Sequence, residues 1–142
     1  NNEGAYLSRD PHMALQGLSV DLKDMSDLVP TVVAVALFAQ GPSTITGVGF
    51  IRNKESDRLG DLAKELHKCG AKVSVLDDGL EISPHPLHGA TLATHHDHRL
   101  AMAFGLVALQ VPEVLVEEPD VVSKSWPMYW EVREQMLRSC RE

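Results

Sequence analysis

The chain has 142 residues, of which 44% are hydrophobic and 23% charged, and its formal net charge at pH 7 is −7. These proportions are typical of a globular domain and exclude a disordered chain, a collagen-like repeat and a coiled coil. Proteins that hold nucleic acid by neutralising phosphates carry excess Lys and Arg, so the acidic balance disfavours that function. The longest strongly apolar stretch, residues 29–39, is too short for a membrane span of ~20 residues.

The cysteine content and the first residue of the chain give expectations about the cellular compartment and about the length of the parent polypeptide. Cys69 and Cys140 are too few for a disulfide framework or a four-thiolate metal site, which favours a reducing, cytoplasmic compartment. Cys69 lies on an apolar helical stripe and is expected in the core. The chain begins at Asn1 and its first methionine is Met13, so we expect a piece of a longer polypeptide or a processed chain.

The first predicted elements are a strand and a helix. Residues 1–16 lack periodicity and are expected to form a loop or a frayed strand. Apolar and polar residues then alternate over 18–23, as in a half-buried strand. A mostly apolar helix is predicted over 31–40, with Pro30 in its first turn and Asp27 as a candidate cap.

A short strand over residues 43–46 precedes the clearest helix of the sequence. Between residues 59 and 69 apolar side chains recur at helical spacing, which predicts an amphipathic helix. Ser56 or Asp57 is expected to begin it, and Gly70 to end it.

A hairpin is predicted over residues 72–82, because its central Asp-Asp-Gly suits a tight turn with positive φ. Four elements complete the chain: an extended stretch over 90–94, a helix beginning at Arg99, a strand over 114–116 and a last helix beginning at Pro127. The order is strand, helix, strand, helix, strand, strand, and then most of such a unit again.

Cations occupy positions at helix starts where the helix dipole ordinarily favours acids. These residues are Lys54, Arg58, Arg99 and Lys124. If the helix starts converge, the cations would bind a multiply charged anion together with free backbone N–H groups. The alternative is that each cation pairs with a nearby carboxylate such as Glu55, Asp57 or Asp97.

Two acids at element boundaries, Asp27 and Glu55, are candidates for proton transfer, because a carboxylate close to Arg or Lys stays ionised and positioned. The alternatives are a helix cap for Asp27 and a first-turn dipole partner for Glu55. Residues 95–98, His-His-Asp-His, suggest a metal site, but adjacent side chains diverge and the sequence disfavours one. A glycine-rich nucleotide loop is also missing from the sequence.

Four sequence blocks resemble one known family. They are DMSDLVPT at 24–31, RNKESDR at 52–58, DHRLAM at 97–102 and KSWP at 124–127. In this order and spacing they resemble the C-terminal part of the 5-enolpyruvylshikimate-3-phosphate synthases, or 3-phosphoshikimate 1-carboxyvinyltransferases. The resemblance implies an α/β (α+β) fold of repeated βαβαββ units, about two of the three in one domain. Residues 17–89 would then form one unit and 90–142 most of a second.

The family resemblance implies transfer of the enolpyruvyl group of phosphoenolpyruvate to the 5-hydroxyl of shikimate 3-phosphate, with release of phosphate. This reaction of aromatic amino acid biosynthesis uses no metal or organic cofactor. The implied partners are the two substrates and a missing N-terminal domain, with neither nucleic acid nor membrane. We expect the isolated chain to be inactive and to self-associate through exposed apolar surface. The alternative is a non-catalytic anion-binding or structural module derived from the family.

Residue roles follow from the matching motif positions. Asp27 resembles the aspartate that contacts the shikimate hydroxyls and deprotonates the attacking one. Glu55 resembles the proton donor to the methylene carbon of phosphoenolpyruvate, and Lys54 a cation touching both substrates. Three further positions resemble the family residues that bind phosphoenolpyruvate: Arg58, Arg99 and Lys124. Phe50 departs from the pattern, since some members carry a polar residue there.

Overall fold

The structure is a computed structural model that describes residues 8, 10 and 12–139. These residues form four α-helices and six strands. They are β1 (Ser19–Asp21), α1 (Val29–Ala36), β2 (Ser43–Thr46), α2 (Arg58–His67), β3 (Lys72–Leu76), β4 (Gly79–Ser83), β5 (Thr91–Leu92), α3 (His98–Val107), β6 (Leu115–Val116) and α4 (Tyr129–Ser139). Short 3₁₀ helices cover Lys23–Leu28, Gly49–Asn53 and Pro119–Lys124. Within the described part of the chain, no helix has the length and apolar character needed to cross a membrane.

The main sheet has four strands in the order β1-β2-β4-β3. β1 runs parallel to β2, whereas β4 is antiparallel to both β2 and β3. Ile45 of β2 lies opposite Val20 on one side and Leu80 on the other, which places three apolar side chains in one row. β5 and β6 form a separate parallel pair. The architecture is therefore mixed helix and sheet, as predicted.

Local sequence signals explain the hairpin and α2. The β3–β4 hairpin turns at Asp77 and Asp78, as its sequence predicted. The carboxylate of Asp57 accepts the backbone N–H of Gly60 at 3.0 Å, so Asp57 is the N-cap of α2. Gly70 follows the helix with φ of +87°, a conformation that costs a side-chain-bearing residue free energy. These boundaries were readable from the sequence because each depends on neighbouring residues.

One predicted helix cap and one predicted helix start are wrong, although Pro30 lies in the first turn of α1 as expected. α1 covers Val29–Ala36, and its N-cap is Leu28 without any side-chain cap, so Asp27 does not cap it. The carboxylate of Asp27 has distant partners instead. α4 begins at Tyr129 rather than Pro127, because the preceding 3₁₀ helix continues into a further turn in which the Trp126 N–H donates to Val122 O at 2.8 Å.

The core lies between the helices and the main sheet. α1 packs on α3, and α2 packs on β3. Cys69 is fully buried in this core, as predicted. The largest fully buried apolar residues are Ile45, Ile51, Leu59, Leu62, Leu66, Leu80, Ile82, Leu92, Leu100 and Phe104. Because α1 and α3 pack together, one core joins the two predicted units, and a boundary at residue 89 remains a prediction. Most of the predicted loop at 1–16 lies outside the described residues.

Candidate active site

The predicted site residues lie at the starts of three helices. Arg58 is the first residue of α2 and Arg99 the second of α3, while Lys124 ends the 3₁₀ helix that precedes α4. Asp27 lies in the 3₁₀ helix before α1, and Glu55 in the loop before α2. Hydrogen bonds join these five residues into two groups, one around Asp27 and one around Glu55.

Asp27 joins the starts of α2 and α3. Its Oδ1 accepts a hydrogen bond from Nη1 of Arg58 at 3.0 Å, and its Oδ2 accepts one from Nη2 of Arg99 at 2.8 Å. Arg58 is only 2% exposed, whereas about a third of the Arg99 side chain is accessible. The two guanidinium groups therefore face the same carboxylate from neighbouring helices, and the helix starts converge.

Asp97 holds the buried end of Arg58. Its Oδ2 accepts Nε of Arg58 at 2.8 Å and the Ser56 hydroxyl at 3.3 Å. Its Oδ1 accepts the backbone N–H of Arg99 at 2.9 Å, which makes Asp97 the N-cap of α3. A fully buried ion pair is tolerated only when further hydrogen bonds satisfy its atoms, and Asp97 meets this condition.

Glu55 joins the α3 start to Lys124. Its Oε1 accepts the Lys124 ammonium at 2.7 Å, and its Oε2 lies 3.0 Å from Nδ1 of His98. Burial raises the pKa of the Glu55 carboxyl, but the hydrogen bonds from Lys124 and His98 outweigh burial and bring the pKa below its ordinary value. With Lys124 in this position, Glu55 is held as the carboxylate.

Lys54 stands apart from the carboxylates of the site. Its side chain is exposed, and its ammonium lies 5.8 Å from the centre of the Phe50 ring. Among the described residues it has no carboxylate within ion-pair distance. Lys54 is thus a cation available at the edge of the site, next to an exposed aromatic ring.

The cations form ion pairs and also converge, whereas their binding of an anion stays a prediction. Arg58 pairs with Asp97 and Lys124 with Glu55, as the ion-pair alternative expected. The partners nevertheless belong to other segments of the chain, since Lys124 and Glu55 are 69 residues apart and Arg99 and Asp27 are 72 apart. Pairing therefore assembles the cations on one surface and does not spread them over the molecule.

The histidines at 95–98 diverge, as expected for adjacent side chains. His95 faces Glu65 and His96 faces Glu118, while His98 faces Glu55. Ligand atoms of Glu55, Asp97 and His98 lie within 4.8 Å of one another. Their oxygens already accept hydrogen bonds from Lys124 and Arg58, and these positive charges oppose a divalent cation.

Sequence reasoning missed the roles of Asp97 and His98 in the site. The sequence offered Asp97 as an ion-pair partner and, together with His98, as a candidate metal ligand. A signal was present, because an Asp directly before a predicted helix start is a strong N-cap candidate. An N-cap followed by His98 and Arg99 places three polar side chains at one helix end.

Comparison with known proteins decides the family. The profile of the family described as EPSP synthase (3-phosphoshikimate 1-carboxyvinyltransferase) matches residues 1–132. The chain belongs to the EPSP synthase family. It is 43% identical over 123 residues to the 3-phosphoshikimate 1-carboxyvinyltransferase of Nostoc punctiforme, covering 87% of this chain and 29% of the relative. It is 44% identical to that of Methanoculleus marisnigri, covering 82% and 28%.

Solved structures confirm the fold of the EPSP synthase family for this chain. The EPSP synthase of Acinetobacter baumannii superposes with a TM-score of 0.79 at 27% identity, covering 86% of this chain and 30% of that one. The enolpyruvyl transferase NikO of Streptomyces tendae gives a TM-score of 0.68 at 22% identity, which supports the fold alone. The chain thus spans about three tenths of the length of the proteins it matches.

Proposed function

We propose that the protein containing this chain transfers the enolpyruvyl group of phosphoenolpyruvate to the 5-hydroxyl of shikimate 3-phosphate and releases phosphate. Family membership supports the reaction, and one observation supports the site. Two carboxylates, Asp27 and Glu55, are each hydrogen-bonded to cations from distant helix starts. The proposed reaction needs an acid, a base and an anion clamp, and this surface has candidate residues for each.

The anion clamp consists of Arg58, Arg99 and Lys124. Phosphoenolpyruvate carries a phosphate and a carboxylate, and the planar guanidinium forks of arginine bind both groups bidentately. Arg99 and Lys124 are partly exposed, so an arriving anion can compete with Asp27 and Glu55 for them. Arg58 is buried and held by Asp97, so it stays in place and gives the clamp a fixed point.

Glu55 becomes a proton donor when Lys124 changes partner. In the structure Lys124 donates to Glu55 and contributes to its lowered pKa, so the carboxyl is ionised. If Lys124 turns to the substrate anion, Glu55 loses that hydrogen bond, its pKa rises and it takes up a proton. The protonated carboxyl then adds this proton to the methylene carbon of phosphoenolpyruvate.

Asp27 accepts the proton released at the other end of the reaction. Protonation of the methylene generates positive character at C2, and the 5-hydroxyl oxygen of shikimate 3-phosphate attacks there. The hydroxyl proton passes to Asp27, whose two carboxylate oxygens are held by Arg58 and Arg99. Departure of phosphate, which takes the hydroxyl proton from Asp27, and loss of the methyl proton then form the enol ether, with Glu55 positioned to take the methyl proton back.

The rest of the protein supplies the other half of the site in this proposal. We assign residues 17–89 and 90–142 to two successive βαβαββ units of a C-terminal domain, since β1 to β4 follow in the order strand, helix, strand, helix, strand, strand. Lys54, on the exposed edge, is assigned to contact both substrates. A cytoplasmic location accords with the free thiol of Cys69, which is buried.

Phosphate release tests the proposal most simply. The full-length protein is incubated with phosphoenolpyruvate and shikimate 3-phosphate, and phosphate and the enolpyruvyl product are measured together. We expect both products, and we expect Asp27→Asn to lower kcat because the amide cannot accept the hydroxyl proton. Asp120→Asn, in the 3₁₀ helix before α4, is the matched control. Retained phosphoenolpyruvate binding without either product would instead indicate a non-catalytic module.

A further inference from the structure

The geometry points to Glu65 as a positioning residue that fixes the loop over residues 93–97 and thereby places Asp97 and His98 in the active site. Glu65 lies on α2, outside the group of residues assigned to substrates above. The inference rests on the proposed function, because its consequence is measured on that reaction.

Glu65 is a carboxylate in an apolar position. It is 1% exposed, and Leu62, one turn before it, and Cys69, one turn after it, are fully buried. Its Oε2 accepts the Ala93 backbone N–H at 2.8 Å and the Lys68 ammonium, and its Oε1 lies 2.9 Å from Nε2 of His95. A buried charge is costly without such partners, so the carboxylate and the loop depend on each other.

The loop held by Glu65 has a strained backbone. His95 and His96 have φ of +50° and +57°, in the left-handed region that side chains other than glycine rarely adopt. Strained conformations persist only where surrounding contacts over-determine them. Glu65 supplies contacts on both sides of Thr94, one to the Ala93 N–H and one to the His95 ring.

The strained turn leads directly into the active site. Asp97, two residues after His95, caps α3 and holds Arg58, and His98 is 3.0 Å from Glu55. If the turn relaxes, both side chains move relative to α2, on which Arg58 lies. A displacement of about 1 Å in a catalytic group can lower a rate by about 100-fold, so Glu65 acts on the reaction through Asp97 and His98.

The test compares three variants of the full-length protein. Glu65→Met keeps the length of the side chain and removes both accepting oxygens. Glu65→Gln is the conservative variant, because its amide oxygen can still accept the Ala93 N–H while its NH₂ group faces the His95 ring. Ile82→Ala, in the core on β4, is the control for lost stability alone. Measured quantities are kcat and KM for phosphoenolpyruvate below all unfolding temperatures, and hydrogen exchange over residues 93–97.

We expect Glu65→Met to lower kcat by about 100-fold and to accelerate exchange of the Ala93 amide. Glu65→Gln should restore most of kcat, and Ile82→Ala should leave kcat of the folded protein within about 2-fold while lowering the unfolding temperature. Equal kcat in Glu65→Met and Ile82→Ala would overturn the inference and leave Glu65 a structural residue.

Failure of the proposed function would be visible separately. If wild-type protein formed no enolpyruvyl product, that function would be wrong, and calorimetric affinity for phosphoenolpyruvate would decide about Glu65. Weaker binding in Glu65→Met than in Ile82→Ala, with faster exchange over 93–97, would then support the positioning role through Arg58. Equal binding in the two variants would reject it.

Discussion

At the scale of single residues, the proposed role of Glu55 as proton donor gives the most specific prediction. In the full-length protein, Glu55→Gln removes a transferable proton but keeps the shape of the side chain and the cation cluster. We therefore expect kcat to fall much more than the affinity for phosphoenolpyruvate, as for a group that acts in the transition state. Steady-state kinetics together with calorimetry measure the two effects. A large loss of affinity with unchanged kcat would reassign Glu55 to substrate binding.

Glu65 gives a second prediction at this scale, on stability against pH. Burial raises its pKa, but hydrogen bonds from Lys68, His95 and the Ala93 N–H lower the pKa below the ordinary glutamate value of about 4.3. Between the lowered and the ordinary pKa, the unfolded chain binds a proton at this group and the folded chain does not. Stability from Glu65 is therefore present above the ordinary pKa and is lost as the pH falls through this window.

Urea unfolding measures this loss of stability. Between about pH 6 and about pH 3, the free energy of unfolding should fall more steeply in the wild-type chain than in Glu65→Gln, which has no carboxyl to titrate there. The pKa of Glu55 is also lowered, but Glu55 is present in both proteins. The difference between their two curves of unfolding free energy against pH therefore reports on Glu65. Parallel curves would contradict the assignment.

At the scale of elements, the close contact of α3 with α4 depends on Gly105. A Cβ at this position would lie 2.8 Å from the Tyr129 hydroxyl and 2.9 Å from the Trp130 ring. Alanine favours a helix by up to ~1 kcal/mol over glycine, but overpacking costs ~1–3 kcal/mol. We expect Gly105→Ala to lower the free energy of unfolding.

A second background separates packing from helix propensity in the Gly105 experiment. In Trp130→Leu, one of the two obstacles is removed, so Gly105→Ala should cost less than in the wild-type chain. Chemical denaturation of the four proteins in this cycle gives the coupling free energy. The same cost in both backgrounds, or a gain of stability in the wild type, would show that α4 does not pack as described.

An element could be predicted when the residues that determine it lie close together in the sequence. The hairpin turn and the Asp57 cap depend on residues three or fewer positions apart, and both were predicted. The Asp27 cap was predicted wrongly, because its carboxylate pairs with Arg58 and Arg99 at separations of 31 and 72 residues. The Ala93 N–H that Glu65 accepts lies 28 residues away, so the sequence pattern gave no sign of this contact.

At the scale of the whole molecule, an apolar surface beside α1 and the edge strand β1 is exposed. Val35 is 45% exposed, and Leu18 and Phe38 are also accessible. We expect the 142-residue chain to self-associate through this surface, and sedimentation velocity over a range of concentrations measures it. Val35→Lys should weaken association, whereas Val75→Lys on β3 should not. Equal association in both variants would place the contact elsewhere.

The most direct test of the site is an NMR titration of the 142-residue chain with phosphoenolpyruvate at low salt. We expect changes in chemical shift at residues 54–58, 97–99 and 124. The expected Kd is about 1 mM, which corresponds to a binding free energy of ~4 kcal/mol. Arg99→Gln should weaken binding, and Arg138→Gln, in the last turn of α4, should not. Enolpyruvyl transfer should be undetectable, because half a cleft lacks the ~7–11 kcal/mol available from a closed one. Chemical-shift changes confined to other surfaces, or turnover by this chain alone, would contradict the proposed site.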